Sequence, residues 1–206
     1  MAPSSHAVNK PPLSLRQEFV RKALHLAAAV FPVAYALGAP RGAIVVALAV
    51  TSVVALALEW LRRANARVGA IFDRFFGAIV RPHERRSITG ATWLSLACLI
   101  TVLVFARNAA IAALWCATVG DPAASLFGKW ATGKSTVTAE RSGKTLTGSL
   151  ACLIVSFGGV WMVAGYAPLS AAMIAAAATV VEAWPVQLDD NIRVAAAAGA
   201  IAQLLA

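Results

Sequence analysis

Apolar residues along this chain fall into long runs near residues 19–38, 42–60, 90–106, 108–128, 148–165, 168–185 and 190–206, with charge confined largely to the gaps. A bilayer's hydrocarbon core is about 30 Å thick and takes about 20 apolar residues of helix to cross, so each run predicts a transmembrane helix. Arg107-Asn108 alone separates the third and fourth runs, and a Gly-Tyr-Ala-Pro turn separates the fifth and sixth. Both gaps predict tight helical hairpins. The expected fold is all-α, a polytopic integral membrane protein of about seven transmembrane helices. Residues 18–206 form a single membrane domain without internal repeats. Residues 1–17, with their Pro and Ser, read as a disordered cytoplasmic lead in which His6 is solvated. They carry neither the apolar stretch nor the small-residue cleavage site of a secretory signal.

Composition agrees. The 206 residues are 60% hydrophobic and only 13% charged, which excludes an ordinary soluble domain. Of the 18 Lys and Arg, all but Arg41 and Arg107 fall on the side of the predicted membrane that holds the N-terminus. By the positive-inside rule that side is cytoplasmic and the C-terminus is not. Trp60, Trp93, Trp130 and Trp184 stand at predicted cytoplasmic helix ends, where indole rings anchor at headgroups. Between residues 61 and 80, Val68, Ile71, Phe72, Phe75, Phe76 and Ile79 recur at helical spacing, with Arg62, Arg63, Arg67 and Arg74 on other faces. That pattern predicts a helix lying in the cytoplasmic interface. Cys98, Cys116 and Cys152 sit alone in apolar segments and read as small buried hydrophobes. Ala/Arg-rich usage leans toward a bacterial cytoplasmic membrane. No nucleic acid is expected among the partners.

Charged groups at membrane depth are costly and mark function by default. All nine acids fall on the cytoplasmic half. Asp121 is the deepest, about 10 Å inside at the helical rise. Its Gly-Asp-Pro surroundings predict a break in the fourth helix. Glu182 ends the sixth run, while Asp189, Asp190 and Asn191 begin the seventh. Asp189 or Asp190 is open to a plain N-cap reading, and Glu59 to that of a snorkelling interfacial residue. Glu18, Arg21, Lys22 and His25 gather at the start of the first helix, Arg21 and His25 at i, i+4. In the 129–147 loop Lys129, Lys134, Arg141 and Lys144 interleave with glycines, Gly128, Gly133, Gly143 and Gly148. Glycine lets backbone approach a ligand, Lys and Arg neutralise phosphate, and nearby carboxylates can hold a divalent cation. Together they predict a nucleoside-triphosphate site.

GKWATGKS (Gly128–Ser135) matches the spacing of a Walker phosphate loop, yet no strand precedes it and the residues after Lys134 open a helix poorly. The longer run GDPAASLFGKWATG followed by SGKTLTGS resembles the nucleotide-binding signature of the CTP-dependent polyprenol kinases, which include dolichol kinase, phytol kinase and the CTP-dependent diacylglycerol kinase. Asp121, Ala124, Gly128, Gly133, Lys144, Thr145 and Gly148 match in order. RKALH, RPHERRSITGATW and VEAWPVQLDDN are similar to further pieces of that family, so the resemblance spans residues 18–195. It departs where the second glycine comes one residue late, where Gly143 replaces a common Lys, and where Thr147 replaces a common Glu.

The resemblance implies transfer of the γ-phosphoryl of CTP to a membrane-embedded lipid alcohol, with Mg²⁺ as cofactor. It assigns metal binding to Asp121 with Asp190 or Glu182. The catalytic base is one of Asp121, Glu182, Asp190 and His25. Arg21, Lys22, Ala124, Ser125, Gly128, Lys129, Gly133, Lys144, Thr145, Gly148 and Asn191 would hold the nucleotide. Two other classes stay open. A cytidylyltransferase making a CDP-lipid would release pyrophosphate. A transporter would show inverted repeats and midplane polar groups, and the sequence has neither.

Overall fold

The computed structural model describes residues 15–81, 83–85, 87–132, 144–184, 186 and 188–206. Most of the N-terminal lead and much of the 129–147 loop, with Gly133, Lys134, Arg141 and Gly143, lie outside the described residues. Helix dominates, and the described residues contain no strand. Three helical stretches are long and apolar enough to cross a membrane: Arg16–Ala36, Arg41–Ala64 and Arg107–Ala131. Gly90–Val104, Leu146–Met162 and Pro168–Ala183 are apolar but shorter. The chain is a helical membrane protein.

Each apolar run of the sequence becomes helix. The first splits into α1 (Leu15–Ala27) and α2 (Val30–Ala36). Pro32 causes the split, because it offers no N–H to the Ala28 carbonyl and its ring crowds that oxygen. The second run is α3 (Arg41–Ala64). Asn65 then caps α4 (Ala66–Phe76), its side chain accepting from the Arg67 and Val68 amides. Helix α4 leaves Ile71 and Phe75 exposed. A short 3₁₀ turn at His83–Arg85 leads to α5 (Gly90–Val104).

The fourth run differs most from expectation. It comprises α6 (Arg107–Trp115), a π-helical turn at Cys116–Gly120, and α7 (Asp121–Thr132). The Gly-Asp-Pro sequence widens the helix by one residue per turn and does not break it. The Asp121 amide donates five residues back, to the Cys116 carbonyl. In that register the Ala117 carbonyl would meet the nitrogen of Pro122, which has no hydrogen to give. Asp121 is the first residue of α7, about 16 Å from that helix's other end at the helical rise.

The chain closes with α8 (Leu146–Met162), α9 (Pro168–Ala183) and α10 (Asp190–Leu204). Helix α6 is the axis. Ala109, Ala110, Ile111, Ala112, Ala113 and Leu114 are all buried, against α10, α2, α8 and α5. Alanines on nearly every face let four neighbours approach one helix closely, the packing mode that membranes favour. At the end of the bundle bearing Arg41 and Arg107, those arginines cap helix C-termini. Arg41 donates to the Val102 and Leu103 carbonyls at 3.1 and 2.8 Å, and Arg107 donates to the Tyr35 carbonyl. Orphan carbonyls of α5 are thereby satisfied, and the Tyr35 carbonyl of α2, which also accepts from the Gly38 amide, gains a second donor.

Candidate functional site

The opposite end of the bundle encloses a cavity of about 1150 Å³. Its polar walls come from the start of α1, the end of α3, the start of α5, the body of α7, the start of α8, the end of α9 and the start of α10. Every described site residue named from the sequence lines it. Gly133 lies outside the described residues.

Asp121 stands at the centre. Its carboxylate accepts from Lys22 Nζ at 2.6 Å, with both side chains almost wholly buried. His25 Nε2 is 4.0 Å from the same oxygen and 3.0 Å from the Ala117 carbonyl. That carbonyl is the one Pro122 leaves without its helical partner, so the π turn both bends Asp121 inward and binds the ring of His25. Thr118 Oγ1 satisfies the Leu114 carbonyl at 2.7 Å one turn earlier. Neighbouring residues on α1 part ways: Lys22 goes to Asp121, while Arg21 pairs with Glu18 on its own helix.

Glu18, which sequence reasoning left without a role, is a hub. Buried itself, it pairs with Arg21, with Arg81 at 3.3 Å and with Lys129 at 3.2 Å. Three cations on one carboxylate leave a local surplus of positive charge, suited to an anion. The signal was present in the sequence as a buried-face Glu one turn before Lys22, but its partners come from residues 63 and 111 positions away.

A third cluster joins three helices. Lys144, just before α8, pairs with Glu182 of α9 and lies 3.2 Å from Asp190 of α10. Asp190 also pairs with Arg193. Burial pulls the Lys144 ammonium down, yet Glu182 and Asp190 more than reverse this and hold it above the ordinary lysine value. Asp189 is the N-cap of α10, accepting from the Asn191 amide at 3.0 Å and from its side-chain nitrogen at 2.8 Å. Burial pushes the Asp189 carboxyl up, against those hydrogen bonds. Asn191 turns its own Oδ1 inward, buried and without a partner.

Among the described residues no three of His, Cys, Asp and Glu cluster closely enough to hold a metal ion as they stand. Asp121 is engaged by Lys22, and Glu182 and Asp190 share Lys144. The donor chemistry nonetheless fits a divalent cation such as Mg²⁺. Carboxylate oxygens are its preferred ligands, and Glu182 and Asp190 already converge on one shared positive group.

Gly128 and Gly148 line the cavity and also let two helices meet closely. A Cβ on Gly128 would strike Thr145 Oγ1, and one on Gly148 would strike the Ala124 carbonyl. The closeness they allow is that of α7 to α8. Thr145 itself caps α8, accepting from the Gly148 amide at 3.1 Å. Glu59 is no snorkelling surface residue either. It is buried and accepts from Arg62, Arg63 and the Thr89 amide, holding the start of α5. Trp60, Trp130 and Trp184 are exposed at this end of the bundle, whereas Trp93 lines the cavity.

The chain is 31% identical, over 111 residues, to an uncharacterized protein of Rickettsia prowazekii (strain Madrid E). That stretch covers 52% of this chain and 54% of the relative, so the chain spans about half the length of the curated relative it matches. No protein-family profile matches the chain, and no solved structure matches it.

Proposed function

We propose that this protein is a membrane lipid-alcohol kinase that transfers the γ-phosphoryl of CTP to an isoprenoid or similar alcohol. In this reading the helices cross the membrane seven times with the N-terminus and the cavity facing the cytoplasm, an orientation that the distribution of Lys and Arg supports. The amphipathic α4 lies in the cytoplasmic interface. The observation that carries the reading is the convergence of Asp121, Glu182 and Asp190, from three helices, and of Lys144, from the segment before α8, on one cavity. The ordered resemblance to the polyprenol kinases names the chemistry such a cluster performs.

In the reaction the alcohol oxygen forms a bond to the γ-phosphorus as the bridging bond to the β-phosphate breaks. CDP leaves, and the hydroxyl proton passes to a carboxylate or to His25. Such transfer is mostly positioning and charge neutralisation. Arg21, Arg81 and Lys129 around Glu18, with Lys144 on the facing side, neutralise phosphate oxygens. Lys22 and His25 hold Asp121 turned inward. The buried Oδ1 of Asn191 accepts a hydrogen bond from the nucleotide. Mg²⁺, held by Glu182 and Asp190 with Asp121 nearby, supplies charge to the triphosphate when bound.

The test is product analysis with purified protein, CTP labelled in turn at the α and γ positions, ATP and GTP as competitors, and a panel of lipid alcohols. The reading predicts γ label on the lipid and CDP released. Release of pyrophosphate with α label on the lipid makes it a cytidylyltransferase. Absence of lipid product with every alcohol and nucleotide refutes enzymatic transfer.

A further inference from the structure

We infer that the cavity continues into a groove between α1–α2 and α3 that admits the hydrocarbon tail of a lipid sideways from one leaflet. The groove walls are stripes at helical spacing, and each changes character along its length. On α1 and α2, Glu18, Lys22 and His25 give way to Ala28 and Phe31. On α3, read from its end toward its middle, Glu59 gives way to Leu58 and Ala55, with the fully buried Leu48 beneath. The two helices run in opposite directions, so the charged ends of both stripes lie together, as do the apolar ends. Thr51 does not interrupt the apolar wall, because its hydroxyl is satisfied by the Ala47 carbonyl at 2.8 Å.

The gap exists because α1 packs on α7 and the π turn, whereas α3 packs on α5 and α4. Close packing between α1 and α3 is absent among the described residues, and α2 meets α3 only sparsely. From Glu59 to Thr51, the last exposed residue of this wall, the distance is about 12 Å at the helical rise. That is close to half of a bilayer's hydrocarbon thickness of about 30 Å, or one leaflet. The occupant is therefore a single hydrocarbon tail whose polar head sits by Asp121. Whatever extends past Thr51 returns to the acyl chains. That the head is a hydroxyl rests on the kinase reading; the tail path does not.

The probe is farnesol carrying a diazirine in its tail, photolysed in vesicles containing the full-length protein, with the labelled residues mapped by mass spectrometry. Label on Leu24, Ala28, Ala55 or Leu58 is expected. Label confined to the outward face of α3, at Val46, Val50 and Val53, overturns the groove. Ala55→Trp, which fills it, is expected to raise the KM for farnesol at least about tenfold, several methylenes of contact being lost. The KM for CTP and for prenol, a single isoprene unit, stays unchanged. Ala28→Phe narrows the groove from the other side and serves if Ala55→Trp misfolds. Both variants folding with unaltered farnesol kinetics overturns the groove. Label in the groove without transfer to any alcohol removes the kinase reading and keeps the groove; transfer with label only on outward faces does the reverse.

Discussion

Replacing Lys22 by Met tests the buried ion pair on which the site is built. Lys22 Nζ and Asp121 Oδ2 are 2.6 Å apart, and their side chains are 4% and 5% exposed. Removing the ammonium leaves a carboxylate with no water to solvate it. Breaking a buried pair in this way costs about 3–5 kcal/mol. In a protein of this size each kcal/mol lowers the melting temperature by about 2–4 °C, so Lys22→Met should melt about 6–20 °C below wild type. Asp121→Asn costs less, because its amide oxygen still accepts from Lys22. The double variant Lys22→Met/Asp121→Asn buries no charge at this position and should recover at least about half of the loss. The three cysteines are all buried, so a thiol-reactive fluorophore reports unfolding in detergent. Melting of Lys22→Met together with wild type, or a double variant no better than Lys22→Met, would refute the reasoning.

Gly148→Ala forces a methyl group against the Ala124 carbonyl and Thr145 and should cost about 1–3 kcal/mol, whereas Gly158→Ala, with open space around it, should be neutral or stabilising by up to about 1 kcal/mol. Thermal scans of the two side by side decide this. For Lys144, whose folded pKa is raised, the stabilisation is fully present below the unfolded value of about 10.5 and is lost as pH rises through the higher folded value. The stability difference between wild type and Lys144→Gln should therefore be flat through neutrality and narrow only in strong alkali; a difference that closes near neutral pH contradicts the assignment. Asn65→Ala removes the cap of α4 at a cost of about 0.5–2 kcal/mol, seen as faster hydrogen exchange confined to that helix.

Hydrophobic runs foretold the helices because apolar length favours them, and acids expected near one end of the bundle do line one cavity. Asp121, Lys144, Glu182 and Asp190 were legible for that reason. What the runs could not show is pairing. That Lys22 rather than Arg21 reaches Asp121 depends on how α1 is rotated, a tertiary fact. The break in the first helix was written in Pro32 but masked by continuous apolarity. The π turn was suggested by Gly-Asp-Pro only as an interruption, since the same residues suit a break and a widened turn. That Gly128 and Gly148 also bring α7 against α8 was not legible, because sequence cannot show which helices pack together. Glu18 and Glu59 find their partners through contacts between helices far apart in the chain.

Transfer of label from γ-labelled CTP to farnesol or a longer prenol, by wild-type protein and by Asp121→Asn reconstituted in vesicles, tests the central claim most directly. The account predicts a phosphorylated lipid and CDP from the wild type, with transfer lost in the variant although it remains folded. Equal transfer by a folded Asp121→Asn protein would contradict it.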